Sequence, residues 1–282
     1  AQSTGGDTEV DVVGPTPTIS VPATQDDPTN ADSITFDVAF DEPIVPATFV
    51  GQPNDITITT NPSVNTSGVT ITITNTGDDQ NFTVELSDLN AQLGNIETDV
   101  SINIVAGRMV DTLGNENVAS NTETVTYDDL GHVVTEIAII GGQNVGENLT
   151  ASYLVTFSED VDAGTVNTGD FDLISNGGDF TTDPSITGVT DAGDADGSTF
   201  AVEINTGELD TATSSDVDLD LDNPTFEDLV GNTEGNSNPN LDNNTYTVVS
   251  QPVISINVSG AQTASVEENP GTVTVTATIE LS

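Results

Sequence analysis

Cysteine, lysine and tryptophan are absent from this chain of 282 residues, and Arg108 is its only lysine or arginine. The lack of cysteine excludes disulfide bonds and thiolate metal sites, and the lack of lysine excludes lysine–asparagine isopeptide bonds. No run of about 18 or more apolar residues is present, so direct membrane insertion is not expected. Packing and bound metal ions are the remaining ways to stabilise a small domain.

Acidic residues outnumber lysine and arginine by 47 to 1, which gives a formal net charge of −46. Phosphate groups are bound by basic side chains, so this charge excludes nucleic acid and anionic lipid surfaces as partners. Cations, glycans, other surface proteins and neighbouring domains of a longer chain remain as possible partners. With His132 as its only histidine, the chain lacks the common nucleophile and base pairs, so we expect no enzyme.

The chain repeats itself at an offset of 117 residues. Asp111-Thr-Leu-Gly-Asn115 returns as Asp228-Leu-Val-Gly-Asn232, and Phe36-Asp-Val-Ala-Phe-Asp-Glu-Pro-Ile44 returns as Tyr153-Leu-Val-Thr-Phe-Ser-Glu-Asp-Val161. This period is too long for a solenoid unit and suits a small independent domain. We expect the domains to lie end to end, because side-by-side packing would bring two acidic surfaces together.

Apolar residues alternate with polar ones along both repeats, as in β-strands that bury one face. The first repeat is predicted to form seven strands, near residues 18–21, 34–40, 55–59, 69–73, 82–86, 100–104 and 123–127. The second is predicted to form seven strands near residues 137–140, 153–157, 171–174, 185–189, 200–204, 217–221 and 245–249. No stretch has a convincing helical period. The predicted fold class is all-β, with tandem immunoglobulin-like β-sandwich domains.

Four segments follow from this pattern. Residues 17–130 and 131–250 are the two immunoglobulin-like domains. Residues 1–16 are interpreted as the last strand of a preceding domain and its linker, because Thr8–Val13 resembles Asn244–Val249. Residues 251–282 resemble the first strands of a truncated Calx-β-like domain, since an acidic turn precedes a strand rich in threonine and valine.

The Phe36–Ile44 element and the D-x-x-G-N turn together resemble the bacterial Ig-like repeats of surface-layer proteins and giant cell-surface adhesins, including adhesins of gliding marine Bacteroidota. The resemblance covers both repeats. It implies an extracellular stalk on the cell surface that is loaded with calcium and displays a binding tip elsewhere. The first repeat has Pro43 where the second has Asp160, so the two domains need not bind metal equally.

In an immunoglobulin topology, the loops after the second, fourth and sixth strands meet at one pole, beside the incoming linker. The acidic and amide residues there are our candidate metal ligands: Asp41, Glu42, Asp78, Asp79, Asp111, Asn115, Asp128, Asp129, Glu159, Asp160, Asp194, Asp196, Asp228 and Asn232. Oxygen-rich sites select hard cations, so we expect Ca²⁺ ions that fix the angle between domains. The alternative is a solvated loop surface in which Gly-Asn only supplies a turn.

The function that these patterns favour is a non-enzymatic stalk segment of a large, secreted, calcium-stabilised bacterial cell-surface adhesin. A surface-layer or extracellular filament subunit is the nearest alternative, and lattice contacts between identical chains would distinguish it. A carbohydrate-binding module is the second alternative. The chain offers only three tyrosines and no tryptophan for stacking on sugars, and Tyr127 and Tyr246 occupy matching strand positions that indicate a structural role.

Overall fold

The computed structural model describes residues 11–51, 55–176, 180–192, 197–210, 214–233, 235 and 240–250. The chain divides into two compact units, Ala1–Ser250 and Gln251–Ser282. The second unit, which includes the predicted Calx-β-like strands, lies outside the described residues, as do the first three of the six residues of the strand predicted at Thr8–Val13. Within the described ranges, no helix is long and apolar enough to cross a membrane.

The first repeat forms two antiparallel sheets. Its strands are β1 (Pro17–Ser20), β2 (Ser33–Phe40), β3 (Ile56–Asn61), β4 (Thr70–Asn75), β5 (Asn81–Ser87), β6 (Glu97–Ile104) and β7 (Glu123–Asp128). One sheet has the order β1-β2-β5-β4 and the other β3-β6-β7. All seven strands lie where the alternation predicts them. The alternation did not reveal α1 (Leu89–Leu93), because five residues are too few to show a helical period.

The second repeat contains the same two sheets with short strands added. Its strands are β8 (Val134–Ile139), β9 (Asn144–Gly146), β10 (Thr150–Phe157), β11 (Phe171–Asn176), β12 (Phe180–Thr182), β13 (Ser185–Asp191), β14 (Thr199–Asn205), β15 (Glu208–Leu209), β16 (Ser214–Leu221), β17 (Asn240–Asn243) and β18 (Thr245–Val249). The sheet orders are β13-β14-β10-β8-β17 and β11-β16-β18-β9, and β12 pairs with β15. The seven predicted strands are all present, and the fold is all-β.

The buried faces of the strands form a separate core in each repeat. In the first core, the rings of Phe40, Phe49 and Phe82 pack edge to face, with centroids 5.4–5.9 Å apart. The core residues of the first repeat end at Tyr127, and those of the second begin at Val134. The linker between these two residues contacts the loops after β10 and β16, because the backbone N–H groups of Ser158 and Gly235 donate to the carbonyls of Val133 and His132. This is the pole at which the candidate ligands were predicted.

Candidate functional site

Three carboxylates meet where the linker enters the second sandwich. They belong to Asp128 at the end of β7, Glu159 in the loop after β10, and Asp228 in the loop after β16, and one oxygen from each lies within 4.8 Å of the others. Asp128 and Asp228 are buried and Glu159 is half-buried. We call these residues the second triad. A depression of about 310 Å³, bordered by Pro28 and Glu97, opens onto it.

The D-x-x-G-N turn fixes the position of Asp228. Its Oδ1 accepts hydrogen bonds from the backbone N–H groups of Val230 (2.9 Å) and Asn232 (2.8 Å), and its Oδ2 accepts one from the Asn232 side chain at 2.8 Å. Gly231 has φ 90°, in the left-handed region that favours glycine. The motif therefore holds a carboxylate by local hydrogen bonds, and its loop geometry is set by the sequence.

Asn232 also joins the turn to the first domain. Its Nδ2 donates to the backbone carbonyl of Asp128 at 3.0 Å, and its Oδ1 accepts from Nδ2 of Asn30 at 3.1 Å. The linker passes very close to the same loop, because a Cβ added to Gly131 would lie 2.5 Å from the carbonyl oxygen of Thr233. These contacts build a tight joint around the second triad.

The same construction occurs at the pole of the first domain. Asp11, Glu42 and Asp111 have carboxylate oxygens within 4.8 Å of one another, and each residue precedes its counterpart in the second triad by 117 positions. We call these residues the first triad. Asn115 again donates to both sides, to Oδ2 of Asp111 at 2.7 Å and to the carbonyl of Asp11 at 3.3 Å. A Cβ on Gly14, the counterpart of Gly131, would lie 1.7 Å from the carbonyl oxygen of Glu116.

The crowding of like charges changes the acidity of the second triad. Burial, followed by repulsion from Asp128 and Asp228, raises the pKa of Glu159 to about 7. The pKa of Asp128 is also raised, chiefly by burial. Carboxylates that are held together in this way are costly to ionise, so a cation bound among them would stabilise the joint.

The first triad also contains a glutamate with a raised pKa. Burial and repulsion from Asp11 and Asp111 raise the pKa of Glu42. Burial also acts to raise the pKa of Asp111, but hydrogen bonds from Asn115 and Leu113 outweigh it, and this pKa falls below its ordinary value. The D-x-x-G-N turn therefore keeps its carboxylate charged.

Other predicted ligands lie outside the triads. Asp78 and Asp79 are exposed. Asp78 accepts hydrogen bonds from Asn81 and Gln80 in its own turn, and these bonds lower its pKa. Asp79 accepts a hydrogen bond from the side chain of Asn75. Asp41 accepts a hydrogen bond from the backbone N–H of Thr16 at 2.7 Å. Asp129 and Asp160 are half-buried beside the second joint. Asp194 and Asp196 lie outside the described residues.

The sequence did not reveal that Asp11, Glu97 and His132 take part in the two joints. Asp11 was interpreted only as part of a strand, although Asp11 and Gly14 return as Asp128 and Gly131 at the offset of 117, which is a usable signal. Glu97 contributes to the raised pKa of Glu159 and left no such signal. His132, which lies in the linker between the two domains, is fully buried, with its ring centroid 5.5 Å from that of Phe226.

The described chain up to residue 250 is thus an all-β protein of tandem immunoglobulin-like sandwiches, each entered through an acidic joint. No protein-family model and no curated protein matches the chain. Solved structures do match, including the Escherichia coli adhesin FdeC, with 15% identity, a TM-score of 0.37 and 86% of this chain covered. The Yersinia pseudotuberculosis adhesin InvE has 11% identity, a TM-score of 0.24 and 84% coverage. The chain spans 65% of the FdeC chain and 59% of the InvE chain. TM-scores of 0.37 and 0.24 carry no argument about function.

Proposed function

We propose that this chain is a non-enzymatic stalk segment of a large, secreted bacterial cell-surface adhesin, and that calcium stabilises the joints between its end-to-end domains. The observation that carries the proposal is the duplicated joint: a linker aspartate, a loop glutamate and a turn aspartate recur at one offset, with the same asparagine and glycine contacts. A stalk needs the same joint at every domain boundary, whereas an enzyme needs one special site.

The chemistry of the joint favours calcium over other cations. Calcium takes about six to eight oxygen ligands in flexible geometry. Each triad offers three carboxylates, and its linker contributes nearby backbone carbonyls. The described residues around each triad provide no sulfur ligand, because the chain has no cysteine and its only methionine, Met109, is buried in the first hydrophobic core. The parent protein is, in this proposal, an adhesin similar to those of gliding marine Bacteroidota.

The distribution of aromatic residues disfavours sugar binding by stacking. The chain has nine phenylalanines and three tyrosines, all within the described ranges. Eleven of these twelve side chains are buried and the other, Phe180, is half-buried. Tyr127 and Tyr246 direct their hydroxyl groups to Asn90 and to the Ile140 carbonyl, respectively. These rings serve the cores, so we assign the adhesive tip to another part of the parent protein.

Calcium dependence tests the proposal directly. Melting temperature and small-angle scattering are measured for the whole chain in EDTA, in millimolar CaCl₂, and in NaCl at matched and at molar ionic strength. We expect calcium to add about 2.7 kcal/mol to the free energy of unfolding at 100 times its dissociation constant, and to extend the chain. Equal effects of NaCl and CaCl₂ would contradict the proposal, because screening alone would then account for both.

A matched pair of variants locates the effect. Glu159→Gln removes one charge from the second triad, and we expect it to reduce the calcium-induced rise in melting temperature. Glu85→Gln makes the same change on the exposed face of β5 and should leave that rise unchanged. Equal losses in both variants would show that calcium acts on total charge and not at the joint.

A further inference from the structure

The longest stretch of the sandwiches without charge lies on one side of the first domain. Residues 56–77 contain no charged side chain, in a chain with 47 acidic residues. They include β3 and β4, which are outer strands of the two sheets. Carboxylates border this side, since Asp88 accepts a hydrogen bond from the Thr70 hydroxyl and Glu85 of β5 is the cross-strand partner of Thr72. The strands β3 and β4 themselves add no charge, which lowers the local repulsion that a second acidic chain would meet.

The equivalent strands of the second domain carry charges and an irregular register. Its equivalent strands are β11 and β13, which are also outer strands of their sheets. The segment from Phe171 to Asp191 carries four aspartates: Asp172, Asp179, Asp183 and Asp191. The pairing of β13 with β14 also shifts register between Ile186 and Gly188, whereas the pairing of β4 with β5 is unbroken. Charges and bulges are the usual protection of sheet edges against pairing with another chain, and β4 has neither.

The sequence of β4 is complementary to itself. Thr70-Ile-Thr-Ile-Thr74 reads the same in both directions. An antiparallel pair of two such strands, related by a two-fold axis at Thr72, places Thr70 opposite Thr74 and Ile71 opposite Ile73. Each face of the two paired β4 strands would then be uniform, with the exposed threonines on one side and the half-buried isoleucines on the other.

The isoleucines of β4 lie beside other apolar side chains, so a pair of β4 strands could form a continuous apolar surface on this face. A groove of about 320 Å³ between β3 and β4 is lined by Ile58, Val69 and Ile71. Gly51 borders it, and a Cβ there would lie 3.3 Å from the carbonyl oxygen of Ile71. The centre of the self-complementary pattern, Thr72, is one residue further along the strand.

We infer that a second copy of this chain pairs with the first domain through β4, antiparallel and centred on Thr72. The inference goes beyond the stalk function, since it joins neighbouring stalks side to side. Five residues per strand form a small interface, so the association is weak and is driven by high local concentration. It strengthens with added NaCl, because salt screens the repulsion between two chains of charge −46.

Sedimentation velocity of the whole chain in EDTA tests this pairing independently of calcium. We expect dimers at protein concentrations up to about 1 mM, with more dimer in about 0.5 M than in about 0.02 M NaCl. Thr72→Asp places two like charges opposite each other at the axis and weakens the dimer about fivefold. Thr18→Asp, at an exposed position of β1 on the opposite edge of the same sheet, is the matched control and leaves it unchanged.

Charge complementation gives the sharpest outcome. Thr72→Lys weakens its own dimer in the same way, but a mixture of Thr72→Asp and Thr72→Lys restores association, because the axis brings opposite charges together. A chain that stays monomeric in every condition overturns the inference. So does an equal effect of Thr72→Asp and Thr18→Asp, or a mixture that associates no better than the single variants.

Discussion

The two triads contain the same residue types at the same spacing, yet they differ in burial. In the second triad, Asp128 and Asp228 are buried; in the first, Asp111 is buried but Asp11 is exposed. The difference lies in the linker residue: Asp128, at the end of β7, is buried, whereas Asp11 is exposed. The carboxylates of the second triad are therefore more desolvated than those of the first.

This difference has an electrostatic consequence. The pKa of Glu159 rises to about 7, and burial is the largest cause; the pKa of Glu42 is also raised, but less. The repeat supplies identical groups, and packing sets how strongly they repel one another. Comparing variants at the two joints can therefore separate the stability that the turn contributes from the stability that depends on burial of the joint.

The largest effect is expected from the linker glycines. Gly131→Ala forces the new Cβ against the backbone carbonyl of Thr233, and Gly14→Ala does the same at Glu116. We expect each to lower the free energy of unfolding by about 3 kcal/mol, because backbone cannot yield as a flexible side chain can. Urea unfolding measures the loss. Gly142→Ala is the control, since its Cβ would meet nothing within 4 Å; a comparable loss there would disprove this explanation.

The asparagines of the two turns should give a smaller and unequal effect. Asn232→Ala leaves the Asp128 carbonyl without this donor in a buried position and should cost about 2 kcal/mol. Asn115→Ala breaks a longer bond to Asp11 at an exposed position and should cost about 1 kcal/mol. Thermal unfolding of both variants checks the order. Equal costs would show that the turn itself, and not the domain contact, dominates both joints.

The smallest effect is expected from Glu159→Gln, and its sign depends on pH. The pKa of Glu159 in the folded chain, about 7, lies above the ordinary value of 4.5, so the folded state holds this proton more tightly. Stability is therefore lost as pH rises through 7 and is regained below the ordinary value. In EDTA, the variant should melt above the parent at pH 8, and the difference should vanish near pH 4.

Two comparisons sharpen this pH prediction. Glu42→Gln should show the same sign with a smaller shift in melting temperature, because its pKa is raised less. In CaCl₂, the sign for Glu159→Gln should reverse at pH 8, since the variant then loses a calcium ligand. A variant that melts below the parent at pH 8 in EDTA would count against repulsion within the triad.

The sequence by itself determined the fold class, the positions of the long strands and the equivalence of the two repeats. Alternation is a local property, and Phe36 or Val100 shows its buried face within a few neighbours. The D-x-x-G-N turn is local as well, because Asp111 accepts hydrogen bonds from residues two and four positions later. Such features need no knowledge of distant contacts.

Only the tertiary structure decided which carboxylates meet. Asp128 and Asp228 are 100 positions apart, and their distance depends on how the linker enters the second sandwich. Asp78 was also a predicted metal ligand, but its two carboxylate oxygens accept hydrogen bonds from Asn81 in its own turn. Burial of His132 and the raised pKa of Glu159 likewise depend on packing between segments far apart in the chain. Periodicity fixes which face of a strand is buried, whereas the meeting of loops is set by the geometry of whole domains.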